Sequence, residues 1–198
     1  MASAIDVYLQ LPVSFNESTK SVESSLKTPE FTQHLESLNA MHKLLLNIPG
    51  GVPPPPVPVP PQRSAAIEKM RNSGNNAFRK ANYQEAINLY SHAISMAMTR
   101  PSWEPAPLLK EELQVLYSNR AQAQMSANNW PEAYADASLS VEFKRVQNPK
   151  AHYRKAKALK EMGRLEEAKE ALEYGLEFGV DSDLKTLLKD VDAQLERK

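Results

Sequence analysis

Five basic side chains crowd residues 150–160: Lys150, Arg154, Lys155, Lys157 and Lys160. Asn148 suits a helix N-cap, and Pro149 suits the first helical position, where a missing N–H costs nothing. Lys150 and Arg154 therefore stand in the first turns of a helix, where the macrodipole disfavours cations. Spaced four apart, they share one face. Something negative must compensate, so anion recognition is the chemistry to look for. The 24 basic and 24 acidic residues of the chain give a net charge of zero, which argues against broad attraction to nucleic acid or an anionic membrane. The recognition has to be local.

Other chemistries are poorly supplied. Without cysteine, the chain has no disulfide, thiolate metal ligand or cysteine nucleophile. His34, His42, His92 and His152 are scattered, with no carboxylate pattern that suggests a metal site. No nucleophile elbow, phosphate-binding loop or zinc-protease motif occurs. An enzyme is not expected, nor a cofactor. The apolar runs fall short of the ~20 residues a membrane helix needs, and no secretory signal is visible. The chain reads as cytosolic, reaching a membrane only through another protein.

The elements that must position the cations come from a repeat. NYQEAINLYSHAI (82–94), NWPEAYADASLSV (129–141) and RLEEAKEALEYGL (164–176) share a Glu–Ala pair and helical spacing, with Ala86, Ala133 and Ala168 in one slot. Each follows another helical stretch: IEKMRNSGNNAFRK, LQVLYSNRAQAQMS and AHYRKAKALKEM. Helix pairs at a ~34-residue period indicate tetratricopeptide (TPR) repeats. The second interval fits that period. The first is about a dozen residues longer, and Pro101, Pro105 and Pro107 place the surplus in an enlarged loop. Residues 181–198 predict a capping helix, with Asp181 or Ser182 as N-cap and Leu184, Leu187, Leu188, Val191 and Leu195 as its apolar stripe. The expected fold is all-α: a TPR superhelix of three helix pairs plus a C-terminal capping helix, preceded by a short strand-and-helix segment.

In such a stack the first helix of each pair lines a concave groove. Arg71 and Asn75 come from the first of these helices, Asn119 from the second, and Lys150 and Arg154 from the third. Asn119 is the phase equivalent of Arg154. Three cations and two amides then meet with no carboxylate among them, an arrangement suited to receive carboxylates through charge-assisted hydrogen bonds. At about 1.5–3 kcal/mol per contact, less the costs of ordering and desolvation, a micromolar site near −8 kcal/mol is expected.

RNSGNNAF, YSNRA and KAHYRKA resemble the motifs of carboxylate-clamp TPR domains, over residues 64–198. That family binds the C-terminal Glu-Glu-Val-Asp (EEVD) tails of heat shock chaperones, gripping the terminal carboxylate and the last aspartate. The resemblance implies a clamp of Arg71, Asn75, Asn119, Lys150 and Arg154, with Phe78 and Met125 lining an apolar pocket. One departure is Arg71, where the family usually has lysine. Arginine keeps the charge but adds bidentate capacity.

The domain plan expected is a partner-binding segment (1–48), a proline-rich linker (49–63) and the repeat domain (64–198). GGVPPPPVPVPPQ cannot join a helix and reads as a stiff spacer. Ile5, Val7, Leu9 and Leu11 alternate as in a strand. Thr28 and Pro29 open a helix with Phe31, Leu35, Leu38, Met41 and Leu45 on one side. One strand and one helix cannot bury enough surface alone. Either a partner supplies strands or the segment packs back on the repeats, and the partner is the expectation favoured. This layout resembles the TPR-containing cytosolic subunits of fungal post-translational translocation (Sec) complexes of the endoplasmic reticulum (ER). It implies a peripheral protein, tethered by a small membrane-anchored Sec subunit, that recruits heat shock protein 70 chaperones carrying precursors. A soluble co-chaperone adaptor and a scaffold with its groove filled by a partner remain alternatives.

Overall fold

The structure, a computed structural model, describes residues 11–197. It divides into two compact units, Met1–Pro55 and Pro56–Lys198.

In the first unit, β1 (Val13–Asn16) and β2 (Ser21–Ser24) form an antiparallel hairpin with Phe15 opposite Val22. The Asn16 side chain turns the corner, its Oδ1 accepting from the backbone N–H groups of Ser18 (3.0 Å) and Thr19 (3.2 Å), as an Asx turn does. The alternation at Ile5, Val7 and Leu9 lies outside the described residues, and Leu11 precedes the observed strand. Within the described residues β1 finds its mate in β2, a hairpin the sequence reading did not anticipate. Helix α1 (Pro29–Leu46) starts at Thr28 and Pro29 as expected. It is tied to the hairpin by Asn39, whose amide accepts from Val22 N (2.7 Å) and donates to Val22 O (2.8 Å). The predicted apolar stripe is only partly covered. Leu38 and Met41 are exposed, and no residue of α1 is buried.

The second unit is the repeat stack. Pairs α2 (Pro61–Arg79) with α3 (Tyr83–Met98), α4 (Ala106–Ser126) with α5 (Trp130–Phe143), and α6 (Pro149–Glu161) with α7 (Leu165–Glu177) are followed by α8 (Ser182–Leu195). Ala86, Ala133 and Ala168 are completely buried. A larger side chain in that slot would push the paired helices apart. The repeat is also written in the backbone. Ala81, Asn128 and Gly163 take the left-handed conformation at the same place in each intrapair turn, with φ of 61°, 61° and 77°. Each closes its helix through the next residue's N–H: Asn82 to Ala77 O, Asn129 to Gln124 O and Arg164 to Leu159 O, a Schellman pattern.

The cap behaves as its sequence predicts. Asp181 Oδ1 accepts from Asp183 N (2.9 Å) and Leu184 N (3.1 Å), and Leu184, Leu187 and Val191 are buried against α6 and α7. The enlarged first loop is shorter than expected, because α4 starts at Ala106 and takes Pro107 into its first turn. The surplus residues lengthen α4 toward its N-terminus. No helix among the described residues is long and apolar enough to cross a membrane.

Candidate peptide-binding site

Each groove residue stands on the first helix of a pair, and a tyrosine from a second helix organises them. Tyr90, on α3, is almost fully buried. It lies over Gly74 so closely that a Cβ there would sit 2.6 Å from its ring. With that space left open, the Tyr90 hydroxyl donates to Asn75 Oδ1 at 2.7 Å, and Asn119 Nδ2 donates to the same oxygen at 3.3 Å. Its acceptor thus occupied, Asn75 keeps its Nδ2 for an external acceptor. Burial raises the Tyr90 pKa, while the positive charges of Arg154, Arg71 and Arg79 pull against that shift.

Asn119, Lys150 and Arg154 line one cavity of 360 Å³, and no acidic side chain lines it. Arg154 is held from beneath: it donates to Ser118 O (2.9 Å), to the Ser118 hydroxyl and to Gln122 Oε1 (3.1 Å). All three are neutral acceptors, and Arg154 forms no ion pair among the described residues. Burial without a counter-charge pushes its guanidinium down to about 10. Lys150 is exposed at the rim. The dipole conflict read from the sequence is real in the fold, since both cations stand in the opening turns of α6. Asn148 holds the N-cap position but does not cap with its side chain. Its Nδ2 donates to Ser140 O and Lys144 O at the end of α5, which anchors α6 to the preceding repeat.

Arg71 stands apart. Its guanidinium forks onto Glu68 and lines a neighbouring cavity of 570 Å³ with Glu68, Glu111 and Glu112. Phe78 is half-buried against Tyr83, with ring centroids 5.5 Å apart. Met125 is corrected: at 5% exposure, packed with Ala133 and Ala158, it has almost no surface to offer a ligand. Two cations escaped the sequence reading. Lys144, in the turn before α6, lines the same cavity as Arg154. Arg79 acts on Tyr90 from one turn beyond Asn75. The signal for Arg79 was its spacing of four from Asn75 and eight from Arg71. Lys144 lies in no helix, so periodicity could not reveal it. Among the described residues no cluster of His, Asp and Glu could hold a metal ion.

Residues 149–177 match the tetratricopeptide repeat family model. The chain is 37% identical over 161 residues to the ER protein translocation subcomplex subunit sec67 of Schizosaccharomyces pombe, covering 80% of this chain and 79% of that protein. The chain belongs to the sec67 family. Among solved structures, a chain of the Sec complex from S. cerevisiae shares its fold, with a TM-score of 0.73 at 23% identity over 93% of this chain and 98% of that one. The first TPR of Spaghetti (RPAP3), bound to the HSP90 peptide SRMEEVD, is similar with a TM-score of 0.57 at 25% identity, over 67% of this chain and 95% of that one. The repeat stack of this sec67-family chain thus resembles a domain solved with the peptide SRMEEVD.

Proposed function

We propose that this sec67-family protein is the chaperone-docking subunit of a post-translational translocation complex. It binds the acidic EEVD tail of cytosolic heat shock protein 70 chaperones, so that precursors are delivered to the ER channel. The observation that carries this reading is Arg154, a desolvated guanidinium without a carboxylate, beside Lys150 and Asn119 in a cavity with no acidic lining. A peptide ending in aspartate brings two carboxylates, one for the amide donors of Asn75 and Asn119 and one for Lys150 and Arg154, with Arg71 joining from the side. Phe78 offers an apolar surface to the residues upstream.

The first unit is the tether to a small membrane-anchored Sec subunit. Its hairpin has two strands among the described residues, and their outer edges accept strand addition. Val13, Phe15, Leu38 and Met41 are exposed there, an apolar surface suited to a partner. Calorimetry with an EEVD peptide tests the groove. Micromolar affinity that falls steeply with salt is expected, and an Arg154→Ala protein that binds as well as the parent refutes the reading. Capture of a membrane-anchored protein by the full chain, lost on deletion of residues 1–48, tests the tether. Co-purification with soluble chaperones alone would favour a free adaptor.

A further inference from the structure

Of the three groove cations expected from the sequence, Arg71 alone already has a carboxylate among the described residues. Glu68 stands one turn before it on α2. Arg71 Nε donates to Glu68 Oε2 at 2.9 Å and its second terminal nitrogen to Oε1 at 2.5 Å. Asn72 Nδ2 adds a contact to Oε1 at 3.1 Å. These bonds, Arg71's above all, hold the Glu68 carboxyl below its usual range. The fork also fixes where the guanidinium lies. Arg71 lines the 570 Å³ cavity with Glu68, whereas Asn119, Lys150 and Arg154 line the 360 Å³ one. Val115 lines both, so the two cavities adjoin.

Resting on the carboxylate-tail reading above, we infer that Glu68 sets the affinity of the groove. It is an internal carboxylate that occupies Arg71 until the peptide's carboxylate replaces it. Lys150 and Arg154 give up no ion pair when a tail arrives. Arg71 must exchange one carboxylate for another, and its net contribution is smaller by the strength of the pair it breaks. The side chains of the pair are 31% and 51% exposed, so the exchange is feasible without disturbing the fold. Arginine at this position matters because its planar fork matches a carboxylate bidentately. A lysine here would be held by a looser point contact.

The test is calorimetric titration of the full chain with a synthetic peptide ending in Glu-Glu-Val-Asp. Glu68→Gln keeps the shape of the side chain and releases Arg71, and binding should tighten roughly two- to five-fold. Glu111→Gln removes the same charge from the wall of the same cavity without freeing a guanidinium, and should change binding much less. In an Arg71→Ala background, Glu68→Gln should have no effect. An unchanged or weaker Kd for Glu68→Gln, an equal gain from Glu111→Gln, or a gain that survives Arg71→Ala overturns the inference. Failure of the underlying reading has a different signature. The parent protein then does not bind the peptide, or Arg154→Ala binds it as well as the parent, and the inference about Glu68 falls with it.

Discussion

Two kinds of arginine are sunk into the repeat stack, and their surroundings differ in one respect. Arg100 donates to both oxygens of Glu112 (2.8 and 2.6 Å), to Glu104 and to the Ser64 hydroxyl. Arg120 forks onto Asp136 at 2.8 and 2.7 Å and reaches Ser91 at 2.9 Å. Their carboxylate partners raise both guanidinium pKa values against the effect of burial. Arg154 on the groove wall has only neutral acceptors, and its pKa falls to about 10. A cation that holds helices together has its anion built in, because an unpaired charge away from water is costly. Arg154 has no such anion among the described residues, and in the function proposed above a ligand carboxylate completes the pair. Asn119 and Arg120 are neighbours in YSNRA, yet one lines the 360 Å³ cavity and the other locks α4 to α3 and α5.

The sharpest way to break this contrast is to remove the structural arginine. Arg120→Met leaves Asp136, 4% exposed, without its cation, and should destabilise the domain by about 3–5 kcal/mol. A urea midpoint that barely moves would erase the distinction between the two classes.

The reciprocal change is Arg154→Met. It should cost the fold less than Arg120→Met does, because no carboxylate is orphaned. Binding of an EEVD peptide should weaken by about 1.5–3 kcal/mol, some ten- to 150-fold, the worth of a charge-assisted hydrogen bond. Urea unfolding and calorimetry on the same two proteins should give opposite rankings, Arg120→Met ahead in stability loss and Arg154→Met ahead in affinity loss.

Much of this division of labour was legible in the sequence, for definite physical reasons. Helical periodicity and the repeat phase fixed which helices line the groove, so Asn119, Lys150 and Arg154 could be set on one wall from spacing alone. The capping helix was legible because Asp181 and the leucine stripe are local signals. Long-range pairing was not. Nothing near Arg120 announces Asp136, sixteen residues away on the next helix. Glu68 lies three residues from Arg71, close enough to have been read as a competitor, but a charge on an exposed helix face looks the same whether it pairs or points to water. Met125 failed for a related reason: groove-facing and core-facing positions differ by one residue on a helix, and apolar character does not separate them. The hairpin was missed because β1 and β2 are four residues each, too short for alternation to declare itself.

Gly74 connects the packing of α2 on α3 to the groove. A methyl group at 74 would meet the Tyr90 ring at 2.6 Å. The tyrosine is wedged in the core and cannot yield freely, so Gly74→Ala should cost about 1–3 kcal/mol, the range for overpacking a filled site. Because the displaced ring carries the Asn75 contact with it, peptide affinity should fall along with thermal stability. Affinity retained in a destabilised Gly74→Ala protein would uncouple the two.

The smallest effect isolates that contact. Tyr90→Phe keeps the ring against Gly74 and removes only the hydroxyl that donates to Asn75 Oδ1 at 2.7 Å. Without it the amide is oriented by Asn119 alone, across 3.3 Å, and can turn its oxygen toward the ligand, where it repels a carboxylate. Affinity should drop by about 1 kcal/mol, the net worth of one neutral hydrogen bond. The number of charges meeting the peptide is unchanged, so the slope of affinity against salt should stay that of the parent, whereas Arg154→Met should flatten it. A flattened slope in Tyr90→Phe would mean that the hydroxyl supports the arginines rather than the amide, and Asn75 would lose its place as the oriented donor of the groove.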